Sequence, residues 1–423
     1  MKKNVYVTGI GIMSPLAIGV EEHKEAFLNA KCSIESEKAV GNNFPKIVGV
    51  VPDFKPQNYI DDKKSIRMMN RHTVLGSSAT RLAMLDAKLT SEDIQSENDE
   101  ENAVMFGSGA SDGIMTFREA AIRCTDDQGN IDYEKLGLEG YRMLPPLWIL
   151  PKLPNTTSGQ MSIQNSIRGL SYSIVNESFS GFSSIGEAHM SVESGRIARV
   201  FCGGAEGTIY TDFFNMMKKH NISSDTKDGS KAFDSSSDGA ILSEGSAVLI
   251  LEDEDKAKAR DAKVYGSILS YCSGYVPNYK EEDIESLSIH YEKIMRRALE
   301  EASLKVEDID FIQASACGIK KNDFAEALAI KNIFGKKPYI TTAHSSIGHT
   351  LAASGPISVS FALIQLCNSL VAPIVRGENL FLEEELNYVK NEAVKHESKV
   401  TLVNSFDYCG NIGTIILSKV GRL

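Results

Sequence analysis

The sequence predicts a layered α/β fold, on three observations. Short β-branched and apolar runs alternate with stretches of helical periodicity, the pattern of a sheet crossed repeatedly by helices. The 423 residues, 42% hydrophobic and 24% charged, supply enough apolar side chains for a large core or two domains. Two stretches also echo each other: "EGSAVLILE" (residues 244–252) and "GNIGTIILSK" (residues 410–419) each set a glycine just before an apolar strand.

Taken in order, strands are expected over residues 4–8, 103–107, 172–175, 199–203, 247–251, 264–270, 308–313, 339–341 and 400–405, each a short run rich in Val, Ile, Phe or Tyr. Helices are expected over 21–30, 74–87, 184–195, 291–302 and 355–369. In "YEKIMRRALEEA", Ile294, Ala298 and Ala302 recur every four residues, which gives one apolar stripe and one charged face. The charged run "EDEDKAKARDAK" (residues 252–263) reads either as a linker between two halves, 1–252 and 253–423, or as a solvated helix within one domain.

Composition excludes several classes. A net charge of -11, with no cluster of Lys and Arg among aromatics, argues against a nucleic-acid binder. The N-terminal "MKKNVYVTGIGIMSPLAIG" is interrupted by Thr8, Gly9 and Gly11 and reads as a strand and loop, not a targeting segment. No run approaches the roughly 18 apolar residues of a membrane span. Seven cysteines without C-x-x-C spacing are expected as free thiols in a reducing cytoplasm, with no metal site.

Among the motifs, "GIGIMS" has Ser14 where a dinucleotide fingerprint needs its third glycine, so a tight turn is the better reading. "GSGASDG" (107–113) and "CGGAEG" (202–207) lack the Gly-Lys-Ser/Thr of a phosphate loop, and close backbone packing explains both. Three stretches carry more. In "YSIVNESFSG" (172–181) an apolar strand-like run stops at Asn176-Glu177-Ser178 and a helical run follows almost at once, a turn that presents Ser178 beside helix N–H groups. In "HSSIGHTLAASGP" (344–356), His344 and His349 flank small residues at the entrance of an apolar helix; an electropositive helix start is expected to keep His349 neutral and able to donate to a carbonyl. "NSFDYCGNIG" (404–413) runs from a strand into a glycine turn, either with core aromatics or as a pocket wall.

Together these residues resemble the β-ketoacyl-acyl carrier protein synthases, a family of condensing enzymes. "VYVTGIGIMSPLAIGVEEHKEAF" is similar to that family's opening, "LPNTTSGQMSIQNSIRG" to its dimer-interface loop, "FDSSSDGAILSEGSAVLILEDEDKAKARDAKVYG" to its mid-chain signature and "NSFDYCGNIG" to its closing glycine turn. The resemblance covers nearly the whole chain. It implies a thiolase-like five-layered αβαβα sandwich of two similar halves, which would account for the internal echo.

The departures are as informative. The family's nucleophilic Cys aligns with Ser178, and its first catalytic His aligns with Ser315 in "QASACGI". Its Lys aligns with His344, and its second His is kept as His349. The Gly-Phe-Gly-Gly turn has become Asp407-Tyr408-Cys409-Gly410. A serine hydroxyl has no ionised fraction comparable to a thiol of reference pKa ~8.5. Losing one imidazole donor to a developing oxyanion typically costs ~3 kcal/mol of barrier. Ser315 could still offer one neutral hydrogen bond.

The resemblance therefore implies a chain length factor, or ketosynthase β, of a type II polyketide system. Such a subunit pairs with an active ketosynthase α subunit as a heterodimer and shapes the tunnel for a polyketide carried on acyl carrier protein. No cofactor is expected, the acyl chains arriving on phosphopantetheine. The alternative is a Ser178-dependent acyltransferase or condensing enzyme, with His349 or His344 as base and Glu177 either orienting an imidazole or facing solvent. Phe179 and Tyr408 are expected to narrow the approach to Ser178. Trp148, Ile149, Leu150, Pro151 and Leu153 are candidate interface and tunnel residues. Arg67, Arg71 and Arg81 read either as a basic docking patch or as a solvated helix face.

Overall fold

The computed structural model describes residues 2–34, 46–109, 113–144, 146–207, 209 and 211–420. Residues 110–112 of the first glycine-rich strand exit lie outside them. Ten strands carry the architecture: β1 (Val5–Ser14), β2 (Asn102–Ser108), β3 (Ser171–Ile174), β4 (Arg199–Glu206), β5 (Gly245–Asp253), β6 (Gly266–Tyr275), β7 (Phe311–Gln313), β8 (Tyr339–Thr341), β9 (Val400–Phe406) and β10 (Asn411–Ser418). Their spatial order is β3-β2-β4-β5-β1 in the first half and β8-β7-β9-β10-β6 in the second, which is the same order repeated. The pairing directions repeat as well, two parallel contacts followed by two antiparallel ones. The echoing stretches are β5 and β10, the fifth strand of each half. The halves join where β1 pairs with β6, Val5 with Ile268, Tyr6 with Ser267 and Val7 with Gly266.

The helices that matter below are α1 (Val20–Leu28), α2 (Arg71–Asp86), α3 (Thr156–Asn165), α4 (Ser180–Glu193), α5 (Ile284–Glu301), α6 (Lys320–Phe334) and α7 (Ser354–Asn368). α2 covers one face of the first half-sheet, and α5, backed by α6, covers one face of the second. α4 and α7 lie between the half-sheets, α7 touching strands of both. That makes five layers, αβαβα. The central layer is tight because its glycines admit backbone: a Cβ on Gly181 would sit 2.3 Å from the Ala352 carbonyl oxygen and 2.6 Å from the Pro356 ring. Gly204 would meet the same carbonyl at 2.4 Å, so close packing does explain the glycines of "CGGAEG".

Several expectations need correction. The stretch Leu351–Asn368 is apolar and long enough to cross a membrane, with mean hydropathy 1.3, and 89% of it is buried. Its three serines, Gly355 and Pro356 broke up the apolar run in the sequence, and it is the central core helix. α5 starts at Ile284, seven residues before the expected 291, because the Asp283 side chain caps it by accepting from the Ser286 N–H. α6 escaped notice because it buries Asn322, Asp323 and Glu326 among its alanines and so lacks a clean apolar stripe. The charged run at 252–263 is neither a free linker nor wholly solvated. Glu252 and Asp253 finish β5, and Glu254–Ala259 form a helix. The fully buried Glu252 binds the fully buried Arg199 and, at 2.8 Å, Arg260.

Candidate active site

The turn after β3 explains how Ser178 is presented. Glu177 takes φ 47°, a left-handed conformation that reverses the chain. The Phe179 N–H then donates to the Asn176 carbonyl at 3.0 Å. The Ser180 hydroxyl accepts the Asn176 N–H at 2.7 Å and donates to the Glu177 carbonyl at 2.6 Å, and α4 begins there. A Cβ on Gly107 would sit 2.3 Å from the Gly181 nitrogen, so β2 holds the helix start close. Ser178 ends up 3% exposed, while Glu177 points to solvent and orients no imidazole.

Ser178, Ser315, His344 and His349 line one cavity, together with Ser354, Gly355, Ser358 and the strand end from Asn404 to Asp407. All four positions singled out in the sequence therefore converge, from both halves of the chain. The cavity has room for about one water molecule.

The hydroxyls of Ser178 and Ser315 and one ring nitrogen of each histidine are already engaged. The Ser178 hydroxyl donates to Asp407 Oδ2 at 3.5 Å, and neither histidine bonds it. The Ser315 hydroxyl accepts the Phe406 N–H at 2.9 Å and lies 3.2 Å from the Phe406 carbonyl, to which it donates. Ser315 is thus tied to β9 and is not free to serve a ligand. His344 Nδ1 donates to the Gly348 carbonyl at 3.2 Å, and His349 Nδ1 accepts the Leu351 N–H at 3.3 Å, so His349 carries its proton on Nε2. The two rings are 5.2 Å apart. Burial lowers His344 to about 4, and burial followed by the His344 charge lowers His349 to about 3. His349 is neutral as expected, but desolvation is the cause. The apolar helix starts only at Ser354.

Three buried carboxyls stand here, Asp407 in the cavity wall and Glu326 and Asp323 behind it. Glu326 accepts the Ser315 N–H at 3.0 Å and the Asn404 amide at 2.9 Å, and burial raises it to about 8. Asp323 accepts N–H bonds from Phe233, Cys317 and Gly318, and burial raises it to about 6. Burial also pushes Asp407 up, against its hydrogen bonds from Asn411, Cys409 and Gly410. Among the described residues none of the three forms an ion pair with Lys or Arg.

The remaining predicted residues divide. Phe179 does not narrow the approach; its ring packs on Gly413 and lies 5.3 Å from that of Phe182, inside the core. Tyr408 does stand nearby, its ring 6.3 Å from the His349 ring, where it lines an open recess shared with Lys219, Lys280, Lys320 and Lys321. Neither this lysine-lined recess nor the contact between Ser178 and Asp407 was foreseen; the only signal for the latter was an acidic side chain at a glycine position of the family turn. Ile149 and Leu153 are exposed and Trp148, Leu150 and Pro151 half-buried, and none of the five lines the cavity. Their segment is tied to the scaffold by Thr156, whose hydroxyl donates to the Leu150 carbonyl at 2.6 Å. Arg71 is not a free docking cation, since it holds the buried Glu244 through two bonds at 2.6 and 2.8 Å.

Comparison with known proteins adds to this geometry. The beta-ketoacyl synthase N-terminal domain family matches residues 2–257 and the corresponding C-terminal domain family residues 275–378. A 3-oxoacyl-[acyl-carrier-protein] synthase 2 from Synechocystis sp. is 27% identical over 99% of this chain and 98% of its own. The solved ishigamide ketosynthase/chain length factor superposes with a TM-score of 0.85 at 22% identity, covering all of both chains. A type II PKS acyl-carrier protein in complex with its ketosynthase bound to the hexaketide (AntDE:AntF) gives 0.80 at 20% identity, over 99% of this chain and 100% of that one. The shared fold is the thiolase-like sandwich described above.

Proposed function

The chain belongs to the β-ketoacyl synthase family, and from that premise we propose that it is the non-catalytic partner of an active ketosynthase. In this reading it is a chain length factor, working in the cytoplasm, that shapes the tunnel for a polyketide growing on acyl carrier protein. The observation that carries the reading is the cavity at Ser178. Condensation needs a thiolate, imidazole donors and room for an acyl thioester. This cavity offers a hydroxyl bonded to a carboxylate, a second hydroxyl tied to backbone, and space for about one water molecule.

The partners that follow are a ketosynthase α subunit in a heterodimer and an acyl carrier protein, with the acyl chain on phosphopantetheine and no cofactor of the chain's own. The solved ketosynthase/chain length factor and the acyl-carrier protein complex are precedents for such assemblies on this fold. Exposed Leu147, Ile149 and Leu153 supply apolar surface suited to a partner. The Ser178-dependent acyltransferase is the competing reading, and it lacks an imidazole bonded to Ser178.

Intact-protein mass spectrometry tests the proposal. This chain, co-expressed with a ketosynthase partner, is incubated with malonyl- and acyl-loaded carrier protein, as wild type and as Ser178→Ala. The expected result is acylation on the partner's cysteine alone, with product length unchanged by the substitution. An acyl adduct on this chain that disappears in Ser178→Ala would overturn it in favour of the acyltransferase.

A further inference from the structure

Asp407 follows β9 and is held by the turn it begins. Its Oδ1 accepts the N–H groups of Cys409 and Asn411, both at 2.8 Å, and its Oδ2 accepts the Asn411 side-chain amide at 2.9 Å. These three donors leave Oδ2 facing the Ser178 hydroxyl at 3.5 Å. The Asn322 amide binds the Asp407 backbone carbonyl at 3.2 Å and fixes the turn from α6. Asp407 is 4% exposed and, among the described residues, is the only acid lining the cavity. The other titratable groups lining it are His344 and His349, which burial keeps neutral. Tyr279, Tyr291 and Cys409 sense the Asp407 charge from other sides, and Glu326 lies behind Ser315.

We propose that Asp407 is a positioning residue that bars negative charge from the side chain at position 178. Attack on a thioester carbonyl by that side chain turns the carbonyl oxygen into an anion two bonds away, next to a carboxylate that cannot turn aside. Like charges this close disfavour the second ionisation. A nucleophile at 178 would be held in its protonated form for the same reason. The site therefore disfavours the anion that attack would form, in addition to excluding an acyl thioester by size, and restoring a thiol at 178 is insufficient to restore a nucleophile. This deepens the non-catalytic reading and rests on it for its purpose.

The test uses the full chain with its ketosynthase partner, carrying Ser178→Cys alone, with Asp407→Asn, or with Asn411→Ala. Iodoacetamide alkylation of residue 178, read by peptide mass spectrometry across pH, reports the ionisation of the introduced thiol. The Ser178→Cys protein is expected to alkylate with a midpoint above the ordinary thiol value of ~8.5. Asp407→Asn keeps the Oδ1 acceptor but removes the charge, and is expected to lower the midpoint by about one unit or more and speed alkylation about tenfold at pH 7. Asn411→Ala loosens the turn while keeping the charge, and the midpoint is expected to stay high.

An unchanged midpoint in Asp407→Asn would overturn the proposal. So would an equal fall in Asn411→Ala, which would assign the effect to loosened packing. Because this assay reads thiol ionisation and the acylation assay reads Ser178 in the wild type, failure of one proposal is distinguishable from failure of the other.

Discussion

The hydroxyl of Ser315 and the backbone of Phe406 hold each other through two contacts, the Phe406 N–H donating at 2.9 Å and the Phe406 carbonyl accepting at 3.2 Å. The end of β7 is thereby sewn to the end of β9, two strands that pair in parallel just before this point. A position that holds an imidazole in the family pattern has become a structural stitch.

Ser315→Ala should accordingly behave as a stability mutant. It leaves the buried Phe406 N–H without its partner, which costs about 1–2 kcal/mol. Urea unfolding would register this as a lower midpoint with an unchanged slope, while product formation by the complex with its ketosynthase stays as in wild type. A loss of product with unchanged stability would mean that Ser315 serves a ligand.

Arg199 and Glu252 are both fully buried and bonded to each other, with Glu97 and Arg260 completing the network at 2.6 and 2.8 Å. Burial pushes the Glu252 carboxyl up, but the Arg199 and Arg260 guanidinium groups outweigh it and hold the carboxyl below its ordinary range. Arg199→Met leaves the buried Glu252 with Arg260 as its remaining cation and is expected to cost about 3 kcal/mol in chemical denaturation, the lower end for a broken buried pair. The double variant with Glu252→Gln should recover part of that loss, and a double as unstable as the sum of the singles would refute the coupling.

Stability should also fall on both sides of neutrality, for opposite reasons. His344 and His349 have folded pKa values of about 4 and about 3, below the unfolded value of 6.5. The unfolded chain therefore binds protons first as pH drops below 6.5, and stability declines toward pH 3–4 by up to about 1.4 kcal/mol per unit for each ring. Glu326, raised from 4.5 to about 8, holds its proton only when folded, so its contribution declines as pH rises from 4.5 to 8. Glu326→Gln should flatten the stability curve between pH 5 and 8, and His349→Asn should flatten it below 6.5. Thermal melts across pH would read both slopes, and a curve that Glu326→Gln leaves unchanged would mean the carboxyl is already ionised at neutral pH.

Much of the fold was legible in the chain because it rests on local pattern. Apolar runs marked nearly every strand, and the resemblance between residues 244–252 and 410–419 marked the fifth strand of each half. What escaped was of another kind. α6 hid because its buried face carries Asn322, Asp323 and Glu326, residues that periodicity assigns to solvent. Phe179 sat beside Ser178 in sequence and was read as a gate, yet one residue's rotation about a helix start turns it into the core.

The sequence by itself determined the family, the repeated layering and the four positions that meet in the cavity, since each depends on residue identity at aligned or periodic positions. Only the tertiary structure decided what those residues do to one another. Segments from both halves of the chain, 229 positions apart in the case of Ser178 and Asp407, come together there. Burial then sets the protonation of His344, His349 and Glu326, and the backbone of β9 claims the hydroxyl of Ser315. Hydrogen bonds and desolvation act over a few ångströms of space, and distance along the chain carries no record of them.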